Sequence, residues 1–206
     1  MMSFYPFNPN LAANAQQQTD APGVEVSRAF LARLSLTAAQ AATADADGVL
    51  AAVTDNEAEQ VITTGITNPP YARNITATAG GTAGDIKAIQ VIVAGTNLAG
   101  EAITETLPAF TVDTAGAVTG DKAFATVTSI TIPAHDGTGA TTAVGFGDKI
   151  GLPDYLPTNT VLLAALAGTL ESTAATVVAD ADELEKNTVD LNSALNGTAV
   201  DVYYLV

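Results

Sequence analysis

The sequence predicts a mainly β fold: an antiparallel β-sandwich or barrel-like body carrying an extended N-terminal arm. Three observations carry this expectation. Short runs rich in Val, Ile and Thr recur from Val61 onward. Gly, Asn, Asp or Pro separates them at intervals of about 8–12 residues, the spacing of strands and turns in all-β domains. No helical apolar period intervenes in that region. The expected division is residues 1–60 as arm and connector, partly extended, and residues 61–206 as the β-body.

The first 25 residues read as an arm. Phe4, Tyr5 and Phe7 interleave with Pro6 and Pro9, and Gln16-Gln17-Gln18 and Pro22-Gly23 follow. Proline favours extended backbone and removes donors. Three clustered aromatics need a surface to bury against. Either the segment folds onto its own domain or it clasps a neighbouring subunit. Phe4, Tyr5, Pro6, Phe7 and Pro9 are therefore the candidate partner contacts.

Residues 26–53 are ambiguous. Val26, Phe30 and Leu34 have helical spacing, whereas Leu34, Leu36 and Ala38 have strand spacing. The Ala content favours helix. Asp45-Ala46-Asp47-Gly48 reads as a turn.

The strands follow in order. Arg73–Thr78 alternates, Ile86–Ala94 is the strongest apolar run, and Glu101–Leu107 returns after a Gly95–Gly100 turn. Ala123–Ile132, Thr141–Phe146, Thr160–Leu166 and Ala174–Ala179 come next. Asn196-Gly197 is a type I′ hairpin signal. It is expected to join residues 188–191 to the apolar end Ala199–Val206.

Composition narrows the function. The chain has 206 residues, 7 basic against 22 acidic, a net charge of −15 and no Cys or Trp. Disulfides, thiolate metal sites and Cys nucleophiles are excluded. A surface this acidic repels a phosphate backbone, so no nucleic-acid partner is expected. Ala and Thr number 40 and 29, while charged residues are only 14%. That is the composition of a thin aliphatic core and a bland surface that partly meets other protein. The N-terminus lacks a basic, then apolar, leader pattern, and the longest apolar run near the C-terminus is Val161–Ala167. A membrane span needs about 20 residues. The expectation is a soluble protein, made in a cytoplasm, with no membrane partner.

Candidate chemistry is thin. The one His, His135, lies beside Asp136 in a turn, and adjacency does not make a triad. Asp45 and Asp47 resemble the start of a calcium loop, but Val49 and Asn56 stand where its later ligands belong. Asp180, Asp182, Glu183 and Glu185 read as a solvated acidic loop. The pairs Glu101/Glu105 and Asp113/Asp121 could nominally serve glycoside hydrolysis, but no Trp platform accompanies them. Gly80-Gly81, Gly137/Gly139 and Gly145/Gly147 lack a Gly-Lys-Ser/Thr ending and read as turns. No catalytic residue, cofactor or metal site is expected, and the chain is not read as an enzyme.

Four stretches carry a resemblance: Asn68-Pro-Pro-Tyr-Ala-Arg-Asn-Ile-Thr-Ala-Thr78, AIQVIVAGTNLAGEAITETL, GDKAFATVTSITIPAHDGTGATTAVGFGDKIGLP and NSALNGTAVDVYYLV. Together they resemble structural proteins of tailed-phage and prophage virions, over roughly residues 65–206. The likeness lies in the order of turns and strands, with no catalytic signature in it. It implies a capsid decoration (cement) protein on the virion surface. The implied partners are the major capsid protein and copies of itself in a homo-oligomer such as a trimer. A tail, neck or fibre-base component is the alternative within the same class.

Overall fold

Alternation of β-branched with small residues, interrupted by turn formers, builds strands throughout the body. The computed structural model describes residues 29–206, together with a two-residue ladder between Gln17–Gln18 (β1) and Glu25–Val26 (β2). The body strands are β3 (Leu31–Leu36), β4 (Asp45–Thr54), β5 (Gln60–Ile62), β6 (Arg73–Gly81), β7 (Ile92–Thr96) and β8 (Ala102–Thr106). They continue as β9 (Gly116–Phe124), β10 (Thr126–Ile132), β11 (Ala140–Gly151) and β12 (Val161–Leu166). The last are β13 (Thr169–Leu170), β14 (Thr176–Val178), β15 (Thr188–Asp190) and β16 (Val200–Leu205). Every pairing among them is antiparallel. The fold is mainly β, as the sequence predicts.

Three sheets share two cores. The largest runs β14-β15-β11-β6-β9, with β4 pairing the first part of β11. Its β4, β6 and β9 strands and the first part of β11 pack on the sheet β5-β10-β7-β8 around Ile75, Val93, Phe124, Ile130, Val144 and Phe146. Its far end packs on the sheet β13-β12-β16-β3 around Leu36, Ile150, Leu152, Val189, Val202 and Tyr204. β11 therefore passes through both cores. On its side away from β6, β4 covers residues 141–146 and β15 covers residues 150–151.

The changeover is built around Arg73. Opposite it β11 bulges: Phe146 pairs with Ile75 and Ile150 with Arg73, so residues 147–149 stand against Asn74 alone. The Asn74 carboxamide fills the gap, accepting from the Lys149 N–H at 3.0 Å and donating to the Gly120 carbonyl at 3.3 Å. A Cβ on Gly147 would lie 2.7 Å from that carboxamide, so a side chain here would push Asn74 out of the gap. The freed Gly147 carbonyl accepts from Arg73 Nε at 2.7 Å and also from Nη2. Nη1 donates to the Ala42 carbonyl at 3.0 Å, and Asp148 pairs at 3.3 Å. The guanidinium centre lies 5.3 Å from the Phe146 ring centre. Arg73 is wholly buried. Burial pushes its pKa down to about 10, partly opposed by Asp148 and Asp190, so it stays charged at neutral pH.

Several expectations are corrected. Residues 31–54 are strands of the body, not connector, so the sheets begin at Leu31 and not at residue 61. The helical spacing in this stretch loses to tertiary pairing, because β3 supplies the edge beside β16 and buries Leu34 and Leu36. Residues 86–91 are not strand, and β7 starts at Ile92. Ala125 breaks the expected Ala123–Ile132 strand, whose halves join different sheets. Asn196-Gly197 turns with Gly197 at φ 73°, but β15 and β16 lie in different sheets, so no hairpin forms there. The apolar C-terminal strand pairs inside its own sheet, between β12 and β3. Gly80, Gly81, Gly145 and Gly147 lie within strands. At Gly145 a Cβ would meet the Asp45 carbonyl oxygen at 1.8 Å, so close backbone approach is its reason.

Arg73→Ala would strand the Gly147 and Ala42 carbonyls in the interior. It is expected to lower the unfolding free energy by about 3 kcal/mol. Arg73→Lys, which cannot reproduce the forked geometry, should recover only part of that. Urea denaturation of the three proteins reads this directly.

Candidate functional site

The C-terminal sheet presents one face to its core and the other to solvent. Strand alternation places Leu34, Leu36, Val200, Val202 and Tyr204 inward. The same alternation turns Leu31, Arg33, Ser35, Asp201, Tyr203 and Leu205 outward. The register puts Leu163 opposite Tyr203 and Leu170 opposite Ala165, on the same outer face. Leu31 and Leu170 are each at least 60% exposed, and Leu163 is exposed too. Leu162, at a bulge in β12, is 58% exposed, and Phe30 and Val206 at the sheet corner are also open. Scattered surface leucines need no explanation, but contiguous ones mark contact surfaces.

One polar clamp crosses this face. Arg33 pairs with Asp201 at 2.8 Å and lies 5.5 Å over the Tyr203 ring. The Ser35 hydroxyl, then Arg33, hold the Asp201 carboxyl below the ordinary carboxylate range. At its β12 edge the sheet opens into a groove of about 250 Å³. Val161, Leu162, Leu163, Leu170, Ala175 and Val177 are among its lining. β13 pairs only with Ala165 and Leu166, so on the side of β12 away from β16 no described strand flanks residues 161–163.

The surface field is strongly negative. Each of the six basic side chains among the described residues is paired: Arg33, Arg73, Lys87, Lys122, Lys149 and Lys186 all contact carboxylates. No unpaired cation is left there to attract an anionic polymer.

The other sequence candidates serve the fold. Phe4, Tyr5, Pro6, Phe7 and Pro9 lie outside the described residues. Glu105 accepts from the backbone N–H groups of Asp121 and Lys122, at 2.6 and 3.2 Å, and so closes a bulge in β9. Burial raises its pKa despite those bonds. Asp121 pairs with Lys149. Glu183 and Glu185 both engage Lys122, at 3.1 and 3.0 Å, and Asn97 donates to Glu101 and Glu185. The acidic loop is thus an ion-paired seam between β9 and the β7–β8 turn. Asp180 accepts from the N–H groups of Asp182 and Glu183, the bonds that lower its pKa. Asp45 accepts from the Asp47 N–H. Among the described residues no cluster of three or more His, Asp or Glu side chains could hold a metal ion.

His135 is a buried tie, not an exposed turn residue. Its Nδ1 accepts from the Lys87 N–H at 3.2 Å, so Nε2 carries the proton and meets Thr142 Oγ1 at 3.0 Å. Its own N–H donates to Asp55 at 3.0 Å, and its ring stacks on Phe110 at 6.0 Å. Sequence reading missed this because the partners lie 48 and 80 positions away. Burial lowers its pKa, partly offset by Asp55 and Asp136.

Comparison with protein-family models, with curated proteins and with solved structures finds no match.

A neutral His135 with a depressed pKa binds its proton more readily in the unfolded chain. Its contribution is whole above the unfolded value of about 6.5 and fades as pH falls through the folded one. Unfolding free energy should therefore drop on acidification below that value, with a slope of at most about 1.4 kcal/mol per pH unit from this group. His135→Gln should lose that component. Glu105 and Asp190, whose pKa values are raised by burial, act in the opposite sense. The difference between wild type and variant in urea titrations isolates the His135 part.

Proposed function

We propose that this chain is a non-enzymatic structural protein of a tailed-phage virion, binding and stabilising the outer surface of the capsid. The observation that carries this reading is the outward apolar face of the C-terminal sheet, with its open groove, on a chain of net charge −15. Such a face suits contact with other protein, and such a charge suits a molecule that must stay off packaged DNA. The groups with acid–base chemistry support it as well. His135, Glu105, Glu183 and Glu185 are engaged in holding backbone or closing ion pairs. The sequence resemblance over residues 65–206 is what suggests the virion class. Attachment then rests on many weak contacts multiplied over a lattice of identical sites. The major capsid protein and further copies of this chain are the partners. The aromatic segment with Phe4, Tyr5 and Phe7 supplies anchors in the manner of interface hot spots.

A tail, neck or fibre-base role is the second reading. Among the described residues the outer edges of β3, β8 and β9 have no partner strand, which favours it, since open edges allow closure into rings or tubes.

Deleting residues 1–20 should abolish co-sedimentation with undecorated capsids while leaving the β-type circular dichroism spectrum unchanged. A truncated chain that still saturates capsids would remove the arm from the mechanism. A full-length chain that fails to bind capsids, and forms rings or tubes in micrographs, would move the role to the tail.

A further inference from the structure

We infer that the groove between β12, β13 and β14 is the receptor for the Phe4–Phe7 segment of a neighbouring copy of this chain. The inference deepens the self-association in the proposed reading and requires no capsid.

The groove has the right chemistry and size. Its walls include Val161, Leu162, Leu163, Leu170, Ala175 and Val177, and its volume is about 250 Å³. A cavity of about 150 Å³ accepts one benzene ring. The groove therefore has room for one to two aromatic rings. Leu162 and Leu170, on its rim, are 58% and 60% exposed. Three of the chain's eleven aromatic residues, Phe4, Tyr5 and Phe7, fall within four positions outside the described structure. Proline lowers the entropic cost of binding in an extended form, so a sequence with Pro6 and Pro9 suits a slot beside an uncovered strand edge.

The sheet order gives the direction. The described body begins at the β3 edge, where Phe30 and Val206 exchange backbone hydrogen bonds. The groove lies past β12, at the opposite side of the same sheet. Donor and acceptor on opposite edges make a head-to-tail contact, which closes into a ring when the rotation allows. The reach suffices. The Gln17–Val26 pairing folds the chain back once, leaving ten residues from Gln17 to Phe7 and four from Val26 to Phe30. At about 3.3 Å per residue these span roughly 45 Å, against about 4.8 Å between adjacent strands.

The test uses the full chain with benzoylphenylalanine replacing Phe7. It is mixed with an isotope-labelled copy, irradiated and mapped by mass spectrometry. The expected result is crosslinks between copies, from residue 7 to residues 159–177. Leu162→Glu and Leu170→Glu alter exposed side chains, so the fold should persist, as thermal melting would confirm. Each should cut the crosslink yield by about tenfold, the loss of one anchoring contact. Crosslinks confined to a single copy, crosslinks to another surface, or none across a concentration series would each overturn the inference. Because no capsid is present, these outcomes are separate from success or failure of capsid binding.

Discussion

The body depends on one buried cation. Arg73 sits where β4 gives way to β15 along β11, between the two cores. A guanidinium removed from water must have its donors met, and there the Gly147 and Ala42 carbonyls and Asp148 meet them. The three-residue bulge at residues 147–149 exposes the Gly147 carbonyl that Arg73 needs. Asn74 then fills the gap so that β6 and β11 can resume pairing at Ile150. Two sandwiches share one sheet because this junction lets a continuous strand serve both.

The same economy of charge explains the surface. With six basic side chains among the described residues, each already paired, the other carboxylates there are left without a cationic partner. Repulsion between such molecules disfavours random association. In the proposed reading, specific association falls to apolar contact, and the outward leucines of β3, β12 and β13 are the side chains available for it. On the proposed function, the acidic field and the apolar face act together to make protein contact selective.

Much of the fold was legible in the sequence. Alternation located β6 and β8, and an apolar run located β12, nearly to their ends. Residues 31–54 were not legible, since helical and strand spacing coincide there and only the distant β16 and β11 decide between them. The burial of Arg73 did leave a signal. It shares strand parity with Ile75, Ala77 and Ala79, all core residues, so an inward charge was readable from position. The glycines of β11 misled, because a glycine demanded by close backbone approach looks in sequence like a glycine demanded by a turn. Of the proposed contact surface, the aromatic segment is visible in the sequence as a cluster. The groove was not, because it joins β12 to residues 173–177 through tertiary packing alone.

The central functional claim is placement on the capsid exterior. Cryo-electron microscopy of virions assembled with and without this chain tests it most directly. The account requires added β-rich density above the outer capsid lattice, absent when the chain is absent. Identical capsid surfaces in the two particles would contradict it.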